Sequence, residues 1–88
     1  MVNMREDTDA NYNGISDWQA LVNKPVIASD GQEVGIVRSI QPESLTVDYG
    51  PITPDHYLIP KLSVKNFENG VVHLKNDSKF VESQYKFE

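Results

Sequence analysis

Residues 65–74 read KNFENGVVHL, an Asn-Gly pair between two short apolar-rich runs. Asn and Gly tolerate the consecutive positive φ angles that a two-residue type I′ hairpin turn requires. The stretch therefore predicts a β-hairpin with Asn69 and Gly70 at its tip. Upstream, HYLIP (56–60) reads as a strand with Tyr57 and Ile59 on one face and His56 and Leu58 on the other. KLSV (61–64) between the two is assigned one irregular or 3₁₀ turn. LTVDY (45–49) alternates cleanly, which directs Leu45, Val47 and Tyr49 inward and Thr46 and Asp48 outward. EVGIVRSIQ (33–41) is a further strand with Val34, Ile36 and Ile40 assigned to one face, and Gly35 inside it marks a bend or bulge. PVIA (25–28) is short and is joined to that strand by SDGQ (29–32), where Asp30-Gly31 supplies the positive φ of a tight turn.

These are six short strands with turns at regular spacing, the pattern of a small all-β barrel or roll and not of a βαβ unit. Each end adds a helical turn. In SDWQALV (16–22), Ser16 and Gln19 have capping-box spacing, and Trp18, Leu21 and Val22 share a face. A turn this short must dock on the rest, here through Trp18. DSKFVESQYKFE (77–88) is expected to start a terminal helical turn, capped by Asp77 or Ser78, with Phe80 and Val81 docking back. The expected organisation is a flexible arm over 1–15, a folded domain over 16–82 and a tail over 83–88.

The chain has 88 residues, enough for one small domain. It carries 13 acidic against 8 basic residues, a net charge of −5, and its lysines are scattered. A field of that sign repels polyanions, so direct nucleic-acid binding is not expected. The absence of cysteine rules out disulfides and thiolate metal sites. No apolar run is long enough to span a bilayer, and MVNMREDTDANYNG (1–14) lacks the apolar core of a secretory signal. A cytoplasmic location without membrane insertion is the expectation.

The order of these signals resembles the PRC-barrel-like superfamily. NKPVIASDGQEVGIVRSI (23–40) is similar to its opening motif, with Pro-Val, Ser-Asp-Gly and Val-Gly-x-Val in place. HYLIP (56–60), Val64 and GVVHL (70–74) resemble a small stand-alone branch of unknown function, with Leu58 as one extra residue in the first of these motifs. The resemblance covers about residues 21–80. It implies a six-stranded barrel that docks proteins and does no chemistry. Domains of this superfamily occur in a photosynthetic reaction-centre subunit, in a ribosome-maturation factor that contacts a ribosomal protein, and as free-standing archaeal adaptors linked to cell division.

Candidate chemistry is sparse. His56 and His73, with Asp48 or Asp55, are one start of a metal or small-ligand site, yet a metal needs three or four convergent ligands and no His-x-His pairing exists. Structural histidines are the simpler reading. In DANYNGISDWQA (9–20), Asp9, Asn11, Asn13 and Asp17 fall at calcium-loop positions 1, 3, 5 and 9, but Ala20 stands where the bidentate acid belongs. A solvated arm is favoured, and no metal or cofactor is expected. No serine lies in a Gly-x-Ser-x-Gly elbow, and a barrel this small is filled by side chains, so no enzyme is expected.

The aromatic residues outnumber what one small core holds. Trp18, His56, Tyr57, His73, Phe80, Tyr85 and Phe87 are the candidate interaction residues, with Trp18 and Phe80 assigned first to internal packing. The expected function is a protein-interaction or adaptor module that pairs as a homodimer. The alternatives are a small-ligand or metal-binding domain built on His56 and His73, and a ribosome or RNA-processing accessory acting through a protein partner.

Overall fold

The computed structural model describes residues 15, 17–50, 52 and 54–87. The chain is dominated by β-structure. A 3₁₀ turn (Trp18–Leu21) precedes β1 (Pro25–Ile27), β2 (Glu33–Ile40), β3 (Ser44–Tyr49) and β4 (Asp55–Pro60). A second 3₁₀ turn (Lys61–Ser63) leads to β5 (Val64–Glu68) and β6 (Val71–Leu74), then α1 (Ser78–Gln84) and β7 (Lys86–Phe87). One sheet holds all seven strands in the order β5-β6-β1-β2-β3-β4-β7. β1 to β4 form an antiparallel meander, and the β5–β6 hairpin docks with β6 parallel to β1. Asn69 and Gly70 have φ of 55° and 76°, the two positive values of the expected turn.

Two expectations are corrected. The described residues form seven strands, not six, because Lys86 and Phe87 leave the expected tail and pair with Tyr57 and His56. The sheet is also not closed: β5 and β7 are its edges. The physical reason lies at the β4–β5 corner. Pro60 has no N–H to extend the ladder, the chain turns at Lys61–Ser63, and the C-terminal segment takes the free edge of β4, where the Leu58 N–H donates to the Tyr85 carbonyl at 2.9 Å. The Tyr85 hydroxyl and Ser63 Oγ, 2.8 Å apart, bridge the seam with a side-chain hydrogen bond.

Leu21, Val26, Val37, Leu45, Val47, Ile59, Val64, Val72, Leu74 and Val81 are fully enclosed. Burial of each such side chain contributes about 1.5–3 kcal/mol. Ile15, expected in the arm, joins this core at 9% exposure. The rest of the arm, with Asp9, Asn11 and Asn13, lies outside the described residues, as does Ser16. The N-cap of the first 3₁₀ turn is Asp17, without a side-chain hydrogen bond, so the expected Ser16 start is displaced by one residue. Trp18 does dock as expected, with Lys61 Nζ 4.9 Å from its ring centre.

The assigned inward face of β2 also changes. Val34 and Val37 are buried, whereas Ile36 is 40% exposed. The β1–β2 register shifts between Val26 and Ile27, so an extra residue enters β2 beside Gly35 and reverses the alternation. Phe80 likewise fails to dock and is 43% exposed; Val81 alone carries the buried face of α1. Asp77 caps that helix, accepting from the Phe80 N–H at 2.8 Å. No helix among the described residues is long and apolar enough to cross a membrane.

Gly35 allows the reversal. Its φ is +152°, and a Cβ there would lie 2.4 Å from the Asp48 carbonyl oxygen on β3. Gly35→Ala is therefore expected to destabilise by about 3 kcal/mol or more through backbone clash and strain. Gly70→Ala meets nothing within 4 Å and is expected to cost about 1 kcal/mol for its positive φ alone. Urea denaturation of the two variants checks the ranking.

Candidate functional site

The strand alternation that fills the core leaves a row of opposite parity on the outer face of β2, β3, β4 and β7. Ile36 pairs with Asp48, Asp48 with His56, and His56 with Phe87. Two residues along, on the same face, Thr46 pairs with Leu58. Arg38 sits at the register shift between Val37 and Ser39, which turns its side chain towards Asp48.

Asp48 is the hub. Its Oδ1 accepts from His56 Nδ1 at 2.8 Å, and its Oδ2 accepts from the Arg38 guanidinium. An ionised carboxylate can only accept, so the bond places the imidazole proton on Nδ1. The Asp48 side chain is 14% exposed, Arg38 68%. The His56 bond holds the Asp48 carboxyl below the ordinary carboxylate value; partial burial opposes this, and Arg38 reinforces it. The Phe87 ring packs on His56 at 5.8 Å between centres. Lys86 Nζ lies 3.6 Å from Asp55 at the same edge. Ile36, Leu58 and Phe87 stand around the network with 40%, 46% and 48% of their surface exposed.

The other candidates scatter. Trp18 is core. Tyr57 points to the opposite face of β4 from His56, where it is buried and lines a cavity against α1. Burial raises its hydroxyl above the usual tyrosine range, with Asp55, Glu82 and Tyr49 adding to the rise. Tyr85 is half-buried, edge-on to Phe80 with ring centres 5.6 Å apart. His73 lies on β6, separated from β4 in the sheet by β1, β2 and β3. Among the described residues no group of three or more His, Asp or Glu is placed to hold a metal ion. Asp17 is exposed.

Asp30 does more than form a turn. Its carboxylate accepts from Ser78 Oγ at 2.7 Å and from the Ser78 N–H at 3.3 Å, while the Ser29 N–H donates to the Asn76 carbonyl at 2.9 Å. The turn thus clasps the start of α1. These bonds hold Asp30 below the ordinary carboxylate value, the Ser78 hydroxyl most of all.

Sequence reasoning missed Arg38, and it left open whether Asp48 or Asp55 stands beside His56. The pattern had sent Asp48 and His56 outward, but pairing them required the β3–β4 register, and Arg38 required the bulge.

Both lowered carboxyls have a defined consequence. A native-state pKa below the unfolded value gives stability that is complete above the unfolded value, near 3.9, and is lost as pH falls through the native one. Asp48→Asn should therefore flatten the decline of stability between about pH 5 and pH 2. Urea midpoints measured across that range for both chains check it; equal slopes would remove Asp48 from the balance. No family model and no curated protein sequence matches the chain.

Proposed function

We propose that the chain is a non-enzymatic interaction module of PRC-barrel type that pairs with a second copy through the outer face of β2, β3 and β4. The observation that carries this reading is the grouping of Ile36, Leu58 and Phe87, each 40–48% exposed, around the Arg38–Asp48–His56 network. Large half-exposed apolar residues beside an exposed guanidinium are the composition of an interface centre. The patch also holds both signs of charge. A two-fold interface requires self-complementarity, and Arg38 of one copy can face the Asp48 edge of the other. The overall charge of −5 opposes self-association. The local balance of Arg38 against Asp48 reduces that repulsion where the copies would meet.

The sequence resemblance to docking barrels agrees with this reading. Sedimentation equilibrium at micromolar concentration tests it. The native chain should dimerise. Leu58→Asp and Phe87→Asp should each weaken the dimer by about 30-fold or more, the scale of losing a 2 kcal/mol anchor. Leu58 is nearly half exposed, so the monomer's thermal midpoint should change little there; Phe87→Asp also removes the ring packed on His56, so the Leu58 variant decides. A native chain that stays monomeric up to about 100 μM overturns the reading.

A further inference from the structure

Behind the outer face, on the inward side of β4, lies a cavity of about 250 Å³ between the sheet and α1. Its floor includes Val34 and Val81, both buried. Tyr57 stands in its wall at 7% exposure. The groups that act electrostatically on that hydroxyl are Asp55, Glu82 and Tyr49, all of which line the same cavity. Tyr57 and these three groups thus line one cavity. Glu33 adds a third carboxylate at the rim. Among the described residues, Asp55 is the one of the three with an ion-pair partner, Lys86 at 3.6 Å, and that contact is itself half-exposed.

We propose that this pocket binds one positively charged organic group, a guanidinium or ammonium on a short apolar stem. Each part of the lining has a role for such a group. Glu33 and Glu82 accept charge-assisted hydrogen bonds, the strongest kind available to a guanidinium. The Tyr57 hydroxyl can accept another. The half-exposed ring of Tyr49 offers a π face to the cation, and Val34 and Val81 take the methylene stem. Size agrees. Pockets for drug-sized ligands run from roughly 300 to 1,000 Å³, so this one suits a single side-chain-sized group. A bare metal ion fits less well, because the three carboxylates do not converge as a ligand set. An anion would meet three negative charges. The ligand source is either a basic side chain of a protein or a free amine, and the chemistry is shared.

Three probes on the full chain test this: agmatine as the free amine, N-acetyl-arginine amide within a short peptide as the protein-like source, and butylurea as a neutral isostere. The readout is NMR shifts of Tyr49, Tyr57 and Val81. Saturable shifts from either cation, weakened by salt and absent with butylurea, support the proposal. Agmatine alone would identify a free amine, and the peptide alone a protein side chain. The Glu33→Gln/Glu82→Gln variant should weaken binding about tenfold or more, the scale of losing charge-assisted hydrogen bonds. Both side chains are exposed, so the fold should persist; Tyr57→Phe, nearly isosteric, provides a second and smaller loss. Leu58→Asp on the opposite face should leave binding unchanged, which separates this pocket from the pairing surface. The proposal is overturned if neither cation gives a saturable shift below about 10 mM, if butylurea binds equally, or if the double variant binds as the native chain does.

Discussion

The close passage of β2 over β3 at Gly35 is the constraint on which both surfaces rest. The position cannot hold a side chain, because the Asp48 carbonyl occupies the space a Cβ needs. At the same point an additional residue enters β2, so Val34 and Val37 both face the core while Ile36 faces out. A regular strand would have buried Ile36 and exposed Val37. The bulge therefore determines which residues fill the interior and sets Ile36 beside Asp48 on the outer face. The second shift, between Val37 and Ser39, brings Arg38 to the same carboxylate. Core packing and the Arg38–Asp48–His56 network thus follow from two irregularities of one strand, as is common where bulges re-aim side chains.

β4 then divides the chemistry between two sides. His56 and Leu58 face outward into the half-exposed apolar patch, and Tyr57 and Ile59 face inward. Period-two alternation keeps the sides apart although the residues are neighbours in the chain. A group bound beside Tyr57 and a partner seated on Leu58 would not touch. They share only the strand and its edge partner β7, which brings Phe87 to the outer patch and Lys86 to Asp55.

The C-terminal segment is structural as much as terminal. α1 is held at its start by Asp30 and Asp77 and at its end by Tyr85, whose hydroxyl reaches Ser63 and whose carbonyl reaches β4. Val81 enters the core from the one helix the fold contains among its described residues. A helix of this length has little stability alone; these clamps, and the burial of Val81, keep it against the sheet. Glu82, one position on from Val81, then reaches the cavity rim.

Local pattern was enough for much of the fold. Asn69-Gly70, Asp30-Gly31 and the alternation of residues 45–49 and 56–60 each depend on neighbours in the chain, and turns and strand faces are set at that range. The outward direction of Asp48 and His56 was legible for the same reason. The tertiary structure alone decided that β7 takes the edge of β4, that the sheet stays open between β5 and β7, that Ile36 faces solvent, and that Asp30 holds Ser78. Each of these depends on which distant segment arrives at a given edge or carboxylate. A repeat of period two carries no record of that arrival: register and bulges are set by the packing of the whole core, and one inserted residue reverses every face beyond it.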